Sequence, residues 1–165
     1  MQYISRYLSP LGPITIASDG ESLIGLWFDG QKYDRASIGK DCIPGDNLDI
    51  IGETRRWLDI YFSGREPDFT PKMKVAGSTF KKMVAEIMLA IPYGKTTTYG
   101  DIAQEVARRM GRDQMSAQAV GGAVGHNAIS IIIPCHRVLG TDGNLTGYAG
   151  GLDRKKYLLK MEKAI

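Results

Sequence analysis

Apolar and polar positions alternate in three short runs near the start of the chain. Residues 3–8, 14–18 and 23–28 each predict a strand with one buried face, separated by Pro10-Leu11-Gly12-Pro13 and by Asp19-Gly20 as turns. Residues 31–47 are polar and rich in Gly and Asp, which predicts a long connection. The period then changes. Ile51, Trp57, Leu58, Tyr61 and Phe62 recur at helical spacing up to Ser63-Gly64, and Glu66-Pro67-Asp68-Phe69-Thr70-Pro71 predicts an extended crossing.

Beyond that crossing the pattern is mainly helical. Ser78-Thr79 can cap a helix whose apolar positions Phe80, Met83, Val84, Ile87, Met88 and Ile91 recur at three and four, until Pro92-Tyr93-Gly94 ends it. A second helix starts at Thr98, turns Ile102, Ala103 and Val106 inward, and closes on Arg108-Arg109 before the break at Gly111-Arg112-Asp113. A third, from Ser116 to Val124, carries only small side chains and leads into Gly125-His126-Asn127. Two short helices joined by a glycine-containing turn fit a helix-turn-helix. Ile131-Ile132-Ile133 then predicts a buried strand stopped by Pro134, and a final helix spans residues 154–163.

At 165 residues and 43% apolar content, the chain has the size of one domain or of two small lobes. No stretch approaches the roughly 20 apolar residues that span a bilayer, and the N-terminus lacks a signal-peptide layout, so the expectation is a cytoplasmic protein. Charge adds an asymmetry. Residues 1–70 carry 7 Lys/Arg against 11 Asp/Glu, a net of −4, and residues 71–165 carry 14 against 7, a net of +7. A basic second half fits a polyanionic partner, although an ordinary solvated face has the same signature. Two cysteines (Cys42, Cys135) and two histidines without close metal-ligand spacing give no metal site, and Cys42 sits in a polar loop that looks incidental.

The chemistry concentrates at Cys135-His136. Adjacent side chains of an unbroken strand point to opposite faces, so the two cooperate only if Pro134 forces a turn. A cysteine after an Ile run is otherwise ordinary packing. With the imidazole and Arg137 beside it, an activated thiol is the better reading.

The run Ile133-Pro134-Cys135-His136-Arg137-Val138 resembles the signature of the O6-alkylguanine-DNA alkyltransferase family. The likeness continues through Tyr99-Gly100-Asp101-Ile102-Ala103, Ala119-Val120-Gly121-Gly122-Ala123, Asn127 and Gly147-Tyr148-Ala149-Gly150-Gly151-Leu152. It implies an α+β fold, with a small N-terminal sheet-plus-helix lobe (1–75) and a mainly helical C-terminal lobe (76–165) bearing a winged-helix-like helix-turn-helix. It implies one irreversible alkyl transfer from O6-alkylguanine to Cys135 after the damaged nucleotide is flipped. His136 would deprotonate the thiol through a water, Glu162 would orient the imidazole, and Asn127 would hold the turn between recognition helix and active-site strand. Tyr99, Gln118, Ala119, Gly122, Arg137, Val138, Tyr148, Ala149, Gly150 and Lys155 are the implied substrate and DNA contacts. The implied partner is double-stranded DNA carrying O6-alkylguanine, with no cofactor, no metal, no membrane and a monomeric protein.

Two positions depart from the family pattern. Gln118 replaces the arginine that fills the vacated base position, which predicts weaker extrusion, partly offset by Arg109 or Arg112. Ala149 replaces a common serine. The rival expectations are a protein that reads alkylated DNA without transferring the group and a Cys–His thiol hydrolase. The cysteine argues against the first, and the basic helix pair goes unexplained by the second.

Overall fold

The structure, a computed structural model, describes all of residues 1–165 and divides the chain into two units. The first holds residues 1–76 together with 128–132, and the second holds 77–127 with 133–165.

In the first unit the alternating runs become β1 (Tyr3–Ser9), β2 (Gly12–Ser18) and β3 (Leu23–Phe28), an antiparallel meander with Tyr7 opposite Ile14 and Ile14 opposite Phe28. A short β4 (Ile43–Pro44) pairs parallel with β1, giving the order β3-β2-β1-β4. It lies inside the segment read as pure connection, because two exposed residues are too few to show a period. Helix α1 (Asp49–Phe62) packs on the sheet through Ile51, Trp57, Leu58 and Tyr61, against buried Ile14, Ile16 and Phe28. Each such side chain contributes about 1.5–3 kcal/mol of transfer free energy. Trp57 and Tyr61 stack at 5.2 Å, and the Tyr7 hydroxyl donates to Asp59 at 2.6 Å. On β3 the Trp27 ring fills the space above Gly25, where a Cβ would fall 2.0 Å from the indole.

Strand β3 is an edge, and its free backbone groups recruit two irregular segments. Leu23 bonds to Lys72 and Lys74, and Leu26 bonds to Ala128 and Ser130, at 2.8–2.9 Å. That pairing explains why residues 128–132, which the sequence assigned to the second lobe, lie in the first unit.

The strand expected at residues 131–133 is not formed. Ile131 has φ 71° and the Ile132 N–H donates back to the Ser130 carbonyl at 2.8 Å, a tight γ-turn that is strained for a β-branched residue. An inverse γ-turn follows at Pro134 (φ −82°, ψ 66°), closed by the Cys135 N–H on the Ile133 carbonyl. Burial was read correctly, since Ile131, Ile132 and Ile133 are all in the core. The backbone was not, because an apolar run reports burial rather than extension.

In the second unit, α2 (Thr79–Leu89) is capped by Ser78, α3 (Tyr99–Met110) by Thr98 and α4 (Ala117–Gly125) by Ser116, each hydroxyl accepting a backbone N–H of the first turn. Gly111, left-handed at φ 65°, ends α3, with the Arg112 N–H on the Ala107 carbonyl. The three helices pack pairwise through Val84, Met88, Ile102, Val106, Val120 and Val124. Helices α3 and α4 form the helix-turn-helix. Short strands β5 (Thr97–Thr98) and β6 (Val138–Leu139) pair in parallel beside it, which makes the arrangement winged-helix-like. Helix α5 (Leu152–Met161) ends earlier than expected, so Glu162 is its C-cap residue rather than a helical one. No helix is long and apolar enough to cross a membrane.

Candidate active site

Residues 135–137 form a single 3-10 turn between Pro134 and β6, so Cys135 and His136 do not lie in the unbroken strand that would point them to opposite faces. Cys135 is 5% exposed and His136 is fully buried. The His136 Nε2 lies 2.6 Å from Glu162 Oε2. A carboxylate only accepts, so Nε2 carries the hydrogen and the neutral ring presents its lone pair at Nδ1.

Glu162 is held by more than the imidazole. Arg137 donates to it from Nε at 2.8 Å and from Nη2 at 3.2 Å, and the Gly94 N–H donates at 3.3 Å. Burial alone would raise this carboxyl, but the His136 and Arg137 hydrogen bonds overcome it and hold the group at about 2. Burial lowers His136 in spite of Glu162, which keeps the imidazole neutral and able to take a proton. Burial likewise pushes the Cys135 thiol up, opposed by a hydrogen bond from Asn127, the charge of Lys155 and the backbone N–H groups of Cys135 and His136. The thiol is therefore protonated at rest, with groups around it that favour the thiolate.

Asn127 follows α4 and donates from its side-chain amide to the Ile133 carbonyl at 2.8 Å, fixing the inverse γ-turn as well as the thiol. Tyr99 opens α3 with its ring beside Gly121 and its hydroxyl beside Gly147; a Cβ on either glycine would sit 4.0 Å from it. Burial and the nearby Cys135 raise its phenol, so it stays a proton donor. The Tyr148 hydroxyl is buried without a hydrogen-bond partner in the protein and is raised well above its ordinary value by burial. Gly150 is buried beside half-buried Ala149. Gln118, Ala119 and Gly122 are exposed on α4, opposite the buried Val120 and Val124.

Two expected contact residues serve differently. Lys155 is fully buried, and its ammonium donates to the carbonyls of Val138, Thr146 and Gly147 at 2.6, 2.9 and 3.0 Å, which uses all three of its donors. Arg137 is buried against Glu162 and the Ile91 carbonyl, 5.7 Å from the Tyr93 ring centroid. Lys155 is a strut with all three donors spent, and Arg137 turns its Nε, one Nη1 hydrogen and one Nη2 hydrogen inward onto Glu162 and Ile91. The Val138 carbonyl accordingly already accepts one hydrogen bond. Ile91 and Gly94 were missed: Pro92-Tyr93-Gly94 signalled only a helix stop, and the glycine is needed because a Cβ there would meet the Glu162 carbonyl oxygen at 3.1 Å. Cys42 and Cys135 are both free thiols. No three His, Cys, Asp or Glu side chains converge as a metal site.

Residues 79–164 match the family model for the 6-O-methylguanine DNA methyltransferase DNA binding domain, and residues 3–75 match that for its ribonuclease-like domain. The methylated-DNA–protein-cysteine methyltransferase of Methanosarcina barkeri is 44% identical over 156 residues, 94% of this chain and 93% of that one. The Mycobacterium tuberculosis protein of the same name is 39% identical over 94% of this chain and 89% of its own. The solved structure of Mycobacterium tuberculosis OGT in complex with DNA superposes with a TM-score of 0.85 at 36% identity, covering 98% of this chain and 93% of that one.

Proposed function

The chain belongs to the 6-O-methylguanine DNA methyltransferase family, and from that premise we propose that it repairs O6-alkylguanine in duplex DNA by one irreversible alkyl transfer onto Cys135. The observation that carries the proposal is the buried relay at the 3-10 turn, where a protonated thiol is followed directly by an imidazole whose Nε2 is 2.6 Å from Glu162.

In this reading the damaged nucleotide leaves the stack, at a cost of a few kcal/mol, because an O6 substituent inside the duplex cannot reach a buried sulfur. The small exposed face of α4 suits close approach to a groove. The thiol proton passes through a water to His136 Nδ1, and Glu162 steadies the resulting imidazolium. The thiolate attacks the alkyl carbon in line; the C–S bond forms as the C–O6 bond breaks. The guanine oxyanion takes its proton from the Tyr99 phenol, a reading supported by the burial that keeps this phenol protonated. The thioether has no leaving group to regenerate the thiol, so each molecule acts once.

Intact-protein mass spectrometry after mixing with an O6-methylguanine oligonucleotide tests this. A stable gain of one methyl in place of the thiol proton, absent in Cys135→Ala, is expected. DNA binding with no change in mass would instead make the protein a reader, and multiple turnovers on an ester would make it a hydrolase.

A further inference from the structure

The turn between α3 and α4 borders an open cleft of about 500 Å³ that the transfer chemistry does not use. Ala103 and Ala107 of α3 floor it, and Gln104, Arg108, Arg112, Asp113 and Gln114 rim it. All five rim side chains are exposed, and all but Arg108 are unbonded within the protein. The basic residues nearby are not equivalent. Arg108 grips Glu105 with two hydrogen bonds at 2.6 and 2.8 Å, and Arg109 bridges Glu105 and Glu86 at 3.1 and 3.4 Å. Both are engaged by carboxylates, so of the two arginines expected to offset the weaker extrusion, Arg112 is the one free of an acidic partner. Arg112 has no acidic partner within salt-bridge distance, and its backbone is pinned by the Gly111 cap. The cleft also reaches Ala117, adjacent to Gln118 on the exposed face of α4.

We propose that this cleft seats one phosphodiester of the DNA backbone, with Arg112 as its charged ligand and the Gln104 and Gln114 amides as neutral donors. A guanidinium matches two phosphate oxygens in one plane, and the alanine floor lets a sugar come close. The cleft thereby supplies backbone anchoring through a cation that α4 itself lacks at Gln118. The proposal rests on the reading that the protein acts on duplex DNA, and it adds a residue-level division between Arg112, which binds, and Arg109, which is spent internally.

Salt titration of binding to an undamaged duplex tests it, because each phosphate contact contributes about 0.9 to the slope of log K against log salt. Arg112→Gln should lower the slope by about that amount and weaken binding equally across sequences, while Arg112→Lys retains the slope. Arg109→Gln should leave the slope at the wild-type value, and Asp113→Asn should tighten binding. An unchanged slope in Arg112→Gln, or an equal fall in Arg109→Gln, overturns the cleft and leaves only diffuse basic attraction. The methyl transfer assay reads separately. A wild-type protein that gains no methyl but shows the Arg112 slope change refutes the transfer reading alone, and methyl gain without the slope change refutes the cleft alone.

Discussion

The Lys155 ammonium lies 2.6 Å from the Val138 carbonyl, which ties α5 to the strand that leaves the active-site turn. Its other two hydrogens hold Thr146 and Gly147, at the start of the loop that carries Tyr148, Ala149 and Gly150. One buried charge therefore fixes two walls of the site, and its field also favours the Cys135 thiolate.

Lys155→Met should cost both stability and chemistry. The buried Val138 carbonyl loses its donor, and a buried unsatisfied group costs about 1–3 kcal/mol, so an unfolding free energy lower by about that amount is expected from denaturant titration. The thiol should also ionise at higher pH, which moves the rising limb of the transfer rate towards alkali. A variant with normal stability and an unmoved limb would show that the strut is dispensable.

In the wild type, burial lowers Lys155 itself to about 8. The transfer rate should therefore rise with pH as the thiol ionises and then flatten above about 8, where the lysine loses its charge and its third donor. A rate that climbs without a break to pH 10 or so would contradict that coupling.

Acid should unfold the protein in two overlapping steps, and the signs are the same for both. Burial keeps His136 neutral in the folded chain, while the unfolded chain protonates it near 6.5, so stability begins to fall as pH drops below that value. Glu162 is held at about 2 against 4.5 when unfolded, so its contribution is complete above 4.5 and is lost as pH falls towards 2. Denaturation across this range should show Glu162→Gln flattening the lower limb, and an identical limb in the variant would remove Glu162 from the account.

Much of this was legible beforehand because it is written in local patterns. The strands β1 to β3, the cap at Ser78, the helix starts at Thr98 and Ser116, and the Gly111 stop each follow from a few neighbouring residues. What escaped depends on contacts distant in sequence. The recruitment of residues 128–132 by Leu26 is decided by an edge strand a hundred residues earlier. Lys155 and Arg137 entered as contacts that the family likeness implies, and only the three-dimensional placement of backbone carbonyls and of Glu162 shows the bonds that hold them inside the protein. The two γ-turns were hidden for another reason, since three consecutive isoleucines look alike in any buried backbone.

Gly25→Ala should be a severe change for so small a substitution. The new Cβ would fall 2.0 Å from the Trp27 ring, which is 2% exposed and has little room to retreat. Overpacking of this kind costs about 1–3 kcal/mol, and the ring is expected to be displaced from the β3 face. Thermal denaturation followed by indole fluorescence reports both effects. A melting temperature and emission maximum equal to wild type would show that the sheet absorbs the methyl.

Gln118→Arg is the substitution expected to improve the protein. Gln118 lies exposed in the first turn of α4, flanked by Ala117 and Ala119, so a longer side chain meets no protein atom that must move. Glutamine can hydrogen-bond an orphaned base, but it brings neither a charge nor a cation–π contact to a vacated stack. An arginine would add about 0.5–1 kcal/mol at such an exposed site, which is roughly two- to fivefold in the rate of repair of duplex DNA. The gain should appear only where a base must be extruded. Transfer from the free O6-alkylguanine base, which needs no extrusion, should stay at the wild-type rate, and melting should not shift. Equal acceleration on both substrates would mean that the residue acts on the chemistry at Cys135, and no acceleration on duplex would mean that position 118 never enters the stack.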